Sequence, residues 1–179
     1  MEAAFLEISE YREIVPTYQI RYCKRPDDIN FPGDFDQFVE NDAIAFHASV
    51  ERWKNPLLID QVSELDNLRT NWDLVLDIDC DDSFELAKKT AELVVEELRQ
   101  HGIKNIYVKF SGNRGFHIGV KGEAFPREIG DEKFSDLYPN LARGIVDYLR
   151  HQLEDKIVKE VRAQGLEEEM KTDDGPDPY

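Results

Sequence analysis

Two stretches, Asp73-Leu-Val-Leu-Asp-Ile-Asp79 and Lys104-Asn-Ile-Tyr-Val-Lys-Phe-Ser-Gly-Asn-Arg-Gly-Phe-His-Ile-Gly-Val120, decide how this chain is read. The first is a short apolar run that ends in acids, the pattern of a buried strand. Asp82 and Glu85 then stand three residues apart, at the N-cap and N3 positions of a capping box. Phe84, Ala87, Ala91, Val94, Val95 and Leu98 follow at helical spacing, so a helix carries an apolar stripe away from the strand. Gly102 is placed to end it as the C′ residue. Residues 104–110 read as the next strand, Ser111-Gly-Asn-Arg-Gly115 as a tight turn, and Phe116–Val120 as the strand returning from it. The nucleus is therefore strand, helix, strand, turn, strand.

Upstream, residues 17–23 alternate Tyr18, Ile20 and Tyr22 against Gln19, Arg21 and Cys23, a strand pattern. Residues 26–41 hold Pro26, Pro32, Gly33 and a run of acids, and read as a loop with a short helix near Phe35–Glu40. Residues 43–50 alternate again and predict a second strand, and Asn55-Pro56 ends that unit. Downstream, Leu137, Leu141, Ile145, Tyr148, Leu149, Leu153, Ile157 and Val161 recur every three or four residues. They predict a long helix from about Ser135 to Arg162, with Pro139 near its start, where a missing N–H costs least. Beyond Gly165 the chain is acidic and carries proline, the composition of an extended tail. The expected organisation is one domain over 1–165, incomplete at its carboxyl end, and an acidic flexible tail over 166–179.

The chain has 179 residues, of which 41% are apolar, enough for a core. The 22 Lys and Arg stand against 38 Asp and Glu, a formal charge of −16. That excludes a basic coat binding nucleic acid by counterion release alone, which needs clustered cations. It leaves open a site where metal ions or a few placed cations meet phosphate. Cys23 and Cys80 are the two cysteines, too few for a disulfide framework or a self-contained four-cysteine zinc site. No apolar run approaches the roughly 18 residues of a membrane span. Met1 to Ile8 has two glutamates and no cationic start, so no secretory signal is visible and a cytoplasmic location is expected.

Asp77 and Asp79 fall on one face of their strand, with Cα atoms about 7 Å apart. Two carboxylates so placed can share divalent cations about 3.5–4 Å apart, as in-line phosphoryl transfer requires. Oxygen ligands of this kind suit Mg²⁺ or Mn²⁺. Preceded by Leu74-Val75-Leu76, Asp77 is expected at the edge of the core, where an unpaired carboxylate is expensive. Asp81 and Asp82 read instead as caps of the following helix. An Asp-x-Asp after an apolar strand also occurs in glycosyltransferases and in haloacid-dehalogenase-type phosphatases, where Asp77 would be the nucleophile and Asp79 the acid/base. In the Ser111–His117 turn the glycines permit positive φ and let backbone N–H groups approach an anion. Ser111 offers a hydroxyl, Arg114 a forked cation and His117 a ring N–H. A plain hairpin with a surface Arg and a half-buried His is the alternative. One helix and one strand separate the two motifs, so both can meet at one sheet edge.

Together, Leu-Val-Leu-Asp77-Ile-Asp79, the intervening helix and Phe110-Ser-Gly-Asn-Arg-Gly-Phe-His117 resemble the archaeo-eukaryotic primase superfamily. The nearest likeness is to the archaeal DNA primase small (catalytic) subunit and its relatives. The resemblance is clearest over 72–121. It extends more loosely to Phe46–Pro56 and to the Arg143–Leu149 helix. It implies an α+β fold, a small antiparallel-rich, RRM-like sheet with flanking helices and a long C-terminal helix. It implies that Asp77 and Asp79 are metal ligands for Mg²⁺ or Mn²⁺ and catalytic. Ser111, Asn113, Arg114 and His117 would hold the triphosphate of an incoming nucleotide. The reaction implied is template-directed nucleotidyl transfer to a 3′-hydroxyl, with nucleoside triphosphates, a single-stranded DNA template and a primase large subunit as partners. The family also uses a third carboxylate after the long helix, and many members carry a zinc knob. Asp147 lies on the polar side of the predicted helix, Asp173, Asp174 and Asp177 lie in the tail, and two distant cysteines make no knob. The expectation is an amino-terminal portion whose remainder supplies that acid. A non-catalytic primase-like module that binds nucleotide or a partner is the alternative.

His47 reads as a packed strand histidine, and Cys23 and Cys80 as packing residues. Arg21–Arg25 suits either a template strand or a solvated edge. Lys104, Lys109, Arg114 and Lys121 gather near the second motif against the acidic background.

Overall fold

The computed structural model describes residues 11–165 apart from Ile20, Cys23, Lys24, Pro26, residues 60–64 and Asp82. The expected tail, Cys23 and the Asp82 cap lie outside these residues. In chain order the elements are β1 (Ile14–Tyr18), β2 (Arg21–Tyr22), α1 (Pro32–Glu40), β3 (Ala45–Ala48), β4 (Glu51–Trp53), α2 (Leu65–Leu68) and β5 (Arg69–Trp72). There follow β6 (Leu74–Asp79), α3 (Phe84–Gln100), β7 (Tyr107–Phe110), β8 (Gly115–Val120), β9 (Glu128–Ile129), β10 (Glu132–Lys133) and α4 (Asn140–Gln164). The fold is α+β, as expected, but its strands form several small sheets rather than one. Two compact units emerge, residues 1–74 with 121–138 and residues 75–120 with 139–179.

In the first unit β1 lies between β2 and β3, antiparallel to both, with Ile14 opposite Ala48 and Thr17 opposite Tyr22. β4 and β5 form a second antiparallel pair, whose register shifts between Arg52 and Trp53. α1 starts with a proline, which has no N–H to leave unpaired. Asp34 Oδ2 accepts from the amides of Asn30 and Phe31 just before it. The unit's core centres on Trp72, which is fully buried. Its ring stacks on Phe134, with centroids 4.3 Å apart, and its Nε1 donates to the Phe134 carbonyl at 2.8 Å.

Next to that tryptophan, Asp73 gathers three donors. Its carboxylate accepts from Arg12 Nη2 at 2.6 Å, Arg52 Nη2 at 3.0 Å and the Gly122 amide at 2.9 Å. Arg12 also donates to the carbonyls of Ser49 and Val50. Arg12 and Asp73 are both nearly buried, so the pair owes its stability to these extra bonds rather than to Coulomb attraction alone. Arg52 reaches on to Glu123.

In the second unit β8 lies between β6 and β7. α3 packs on β8 and on α4. Leu76, Ala91, Val94, Leu98, Ile118 and Leu153 form the buried centre. Ser83 is the N-cap of α3, its Oγ accepting from the Leu86 amide at 3.1 Å, so the helix starts one residue later than a cap at Asp82 would give. At the other end Gly102 has φ +86°. Its amide bonds to the Arg99 carbonyl and that of Ile103 to Leu98, the paired bonds of a Schellman ending. The C′ reading of Gly102 is thus correct. α4 starts at Asn140 with Pro139 as its N-cap, because Phe134–Leu137 is spent on a 3-10 turn. Phe84 leaves the expected apolar stripe and lies half-exposed against Phe110 and Phe116.

Two outcomes follow. Asp73→Ala removes the carboxylate partner of the nearly buried Arg12 guanidinium and is expected to cost about 3 kcal/mol in urea unfolding. Burial raises the Glu123 carboxyl, but the hydrogen bonds from Arg52 and the backbone, with the positive charges of Arg52 and Lys121, together outweigh it and hold the group below its ordinary 4.5. The stability this contributes is present above 4.5 and is lost as pH falls through the depressed value. Glu123→Gln should therefore flatten the acid limb of the stability curve and lower stability at neutral pH.

Candidate active site

β6 alternates strictly. Leu74 and Leu76 are buried, whereas Val75, Asp77 and Asp79 are exposed on the other face. Asp77 does not sit at the edge of the core, as the apolar run suggested. Its side chain is 70% exposed, so its place on the strand carries little desolvation cost. The strand is buried on one face only.

β7 and β8 pair antiparallel, with Lys109 opposite His117 and Tyr107 opposite Gly119. Directly paired residues project to the same side. Ile118 and Val120 therefore point into the core while His117 faces out. His117 Nε2 lies 3.4 Å from Asp77 Oδ1, an ion-pair distance rather than a tight hydrogen bond. The outward face thus carries Asp77, Asp79, His117, Tyr107 and Lys109.

The turn is held from within. The Ser111 amide donates to the Gly115 carbonyl at 2.9 Å, and the Gly115 amide donates to Ser111 Oγ at 3.2 Å. Gly112 takes φ +98°, open to glycine alone at little cost. Gly115 is buried for another reason. A Cβ there would overlap the Ile78 carbonyl oxygen and crowd Asp79. This contact brings the turn against the acidic end of β6. Arg114 Nη1 donates to Asp81 Oδ1 at 3.0 Å and to the Asp81 carbonyl at 3.3 Å. Both side chains are more than half exposed, so water and salt screen the pair and it is easily exchanged. Asn113 is exposed within the turn.

The structure therefore brings Asp77 and His117 into contact, sets Asp79 beside Gly115, and places Ser111, Asn113 and Arg114 in the adjoining turn. Asp81, read from sequence as a helix cap, partners Arg114 instead; the five-residue Asp77–Asp81 acid run was its only signal. Among the described residues no three His, Cys, Asp or Glu form a metal-holding group. Two carboxylates nevertheless fit Mg²⁺ or Mn²⁺, which commonly takes one or two from protein and fills its shell with water and phosphate oxygen.

The site thus sets a glycine turn against an exposed Asp-x-Asp strand in an α+β fold. Residues 36–168 match the model of the LigD primase-polymerase domain, and the chain belongs to that family, within the archaeo-eukaryotic primase superfamily. The family is one of primase- and polymerase-type nucleotidyltransferases that generally use divalent metals. An uncharacterised protein of Methanocaldococcus jannaschii is 29% identical over 64% of this chain and 26% of its own length. The DNA primase small subunit of Archaeoglobus fulgidus is 28% identical over 46% of this chain and 33% of its own length. The chain thus spans about a quarter to a third of these relatives. Among the described residues no helix is long and apolar enough to cross a membrane.

Gly115→Ala should cost about 3 kcal/mol or more, because backbone carbonyl cannot yield as a side chain can. Gly144→Ala, inside α4 with open space at its Cβ, should instead stabilise by about 0.5–1 kcal/mol. Opposite shifts in thermal midpoint for the two variants check the assignment.

Proposed function

We propose that this chain binds a nucleoside triphosphate with Mg²⁺ or Mn²⁺ on the outward face of β6 and β8 and, directed by a single-stranded DNA template, transfers the nucleotidyl group to the 3′-hydroxyl of the growing strand, with pyrophosphate leaving. The observation that carries the reading is the approach of His117 to Asp77, which joins the two motifs in one site. Asp77 and Asp79 hold the metal; bound there, it would stabilise charge on the phosphate oxygens and on the attacking hydroxyl. Ser111 Oγ and the turn amides meet the triphosphate. Arg114 exchanges Asp81 for phosphate, a stronger charge-assisted partner. His117 donates a ring N–H to a phosphate oxygen. Asn113, at the exposed crest of the turn, supplies a further amide. A third carboxylate and a large-subunit partner come from outside the described residues on this reading.

A second reading has its own support. The two-carboxylate donor set suits a module that binds nucleotide without turning it over. A phosphatase using Asp77 as nucleophile leaves the turn without a role and has no support from the family match.

Calorimetric titration of nucleoside triphosphate with Mn²⁺ tests the site. Binding should require the metal. It should weaken about tenfold or more in His117→Ala, as expected for a lost charge-assisted bond. It should disappear in Asp77→Asn/Asp79→Asn, whose folding is undisturbed because Asp77 is exposed. Extension of a primed template separates the readings: binding with incorporation supports transfer, and binding without it supports the module. Metal-independent binding, or none, refutes the site.

A further inference from the structure

Among the described residues β7 is an edge strand, paired with β8 alone in its three-stranded sheet. All four of its residues are exposed, Tyr107 at 56%, Val108 at 52% and Phe110 at 49%. Such an edge is normally shortened, charged or covered, because exposed apolar strands aggregate. The charge around it is also unusual. From Leu98 to Val120 there is no Asp or Glu, although the chain has 38 in 179 residues, and the same stretch holds Arg99, Lys104, Lys109 and Arg114.

The register puts two of these residues beside the proposed site. Tyr107 pairs with Gly119 and Lys109 with His117, so both project on the face that carries Asp77. Gly119 has no side chain, and among the described residues a Cβ there would reach only the Tyr107 Cβ, at 3.9 Å. Tyr107 and Gly119 thus lie side by side on this face. Along the strand, Lys109 stands one two-residue step away, about 7 Å.

We infer that Tyr107 and Lys109 form a platform for a single nucleic-acid strand, Tyr107 stacking one base over Gly119 and Lys109 meeting a phosphate, so that the strand runs past Asp77 and His117. This rests on the proposed function and names the residues that position the strand. A polyanion complements the acid-free stretch, and an aromatic ring beside a cation is the usual recipe for holding unpaired bases. A duplex keeps its bases stacked inside and cannot use the ring.

Fluorescence anisotropy of the full chain with a labelled oligothymidylate of about 12 nucleotides reads the platform directly. Tyr107→Ala should weaken binding roughly 5- to 100-fold, while Tyr107→Phe, which keeps the ring, retains it. Lys109→Ala should lower the slope of log affinity against log salt by about 0.7, the share of one phosphate contact on a single strand. Equal affinity in Tyr107→Ala and wild type overturns the proposal, as does an unchanged salt slope in Lys109→Ala. A chain that self-associates and binds no oligonucleotide assigns the β7 edge to a protein strand and also overturns it. Titration of the wild type with nucleoside triphosphate and Mn²⁺, run alongside, separates the failures. If that binding persists while the oligonucleotide is ignored, the platform falls and the nucleotide site stands.

Discussion

At Gly115 the backbone of β8 comes so close to that of β6 that only a hydrogen atom fits between residue 115 and the Ile78 carbonyl. The face that carries Asp77, Asp79 and His117 depends on this approach. With any side chain there, the turn would stand off from β6, and His117 would not reach Asp77. The positive φ at Gly112 serves a different end. It lets the turn close on itself through the Ser111–Gly115 bonds, so the loop arrives at β6 already shaped. One glycine sets the conformation and the other the distance. Conformational freedom alone would not require glycine at 115.

The two units spend their charges in opposite ways. Asp73 is largely removed from water, and its cost is offset by two arginines and a backbone amide. Asp77, four residues on, stays in water and is partnered only loosely, by His117. A carboxylate already held by three donors, like Asp73, has little room left for a ligand. One left exposed keeps its oxygens for a cation. The sequence places both acids around one apolar run, but their environments differ: Asp73 is tied into the core, and Asp77 is left open to solvent.

Much of the nucleus was legible. The strand, helix, strand, turn, strand order over 73–120 follows from local signals: alternation, a helical stripe, Gly102 and the glycine turn. Those signals act within a few residues, and they held. The misreadings concern contacts distant in sequence. Leu-Val-Leu looked like a strand buried on both faces because Val75 breaks the alternation in chemistry but not in geometry; Leu74 and Leu76 go in, and Val75 goes out with Asp77. The β4–β5 pair, rich in Arg, Thr and Asn, carries no periodic apolar signal, and it is stabilised by ion pairs such as Arg69 with Glu51 and by the Trp72 stack. Phe134 lies 62 residues from the indole it accepts from, beyond any local rule. The motif residues themselves were readable because each has a chemistry of its own. Asp81 was not, because an acid after a strand reads first as a helix cap.

The charge pattern argues for where chemistry would occur on a chain of −16. A triphosphate approaching an acidic protein is repelled nearly everywhere. Over Leu98–Val120 that repulsion is absent, and the cations there are exposed rather than consumed by buried pairs. Arg114 is the instructive case, since its bond to Asp81 is exposed on both sides and yields to a better anion at small cost. Of the acids that remain nearby, Asp81 is paired with Arg114, and Asp77 and Asp79 are those a divalent cation would neutralise. Once they are, the face formed by β6, β8 and β7 turns from mixed to positive. On this arrangement metal and anionic ligand favour each other's binding through charge alone, without any movement of the fold.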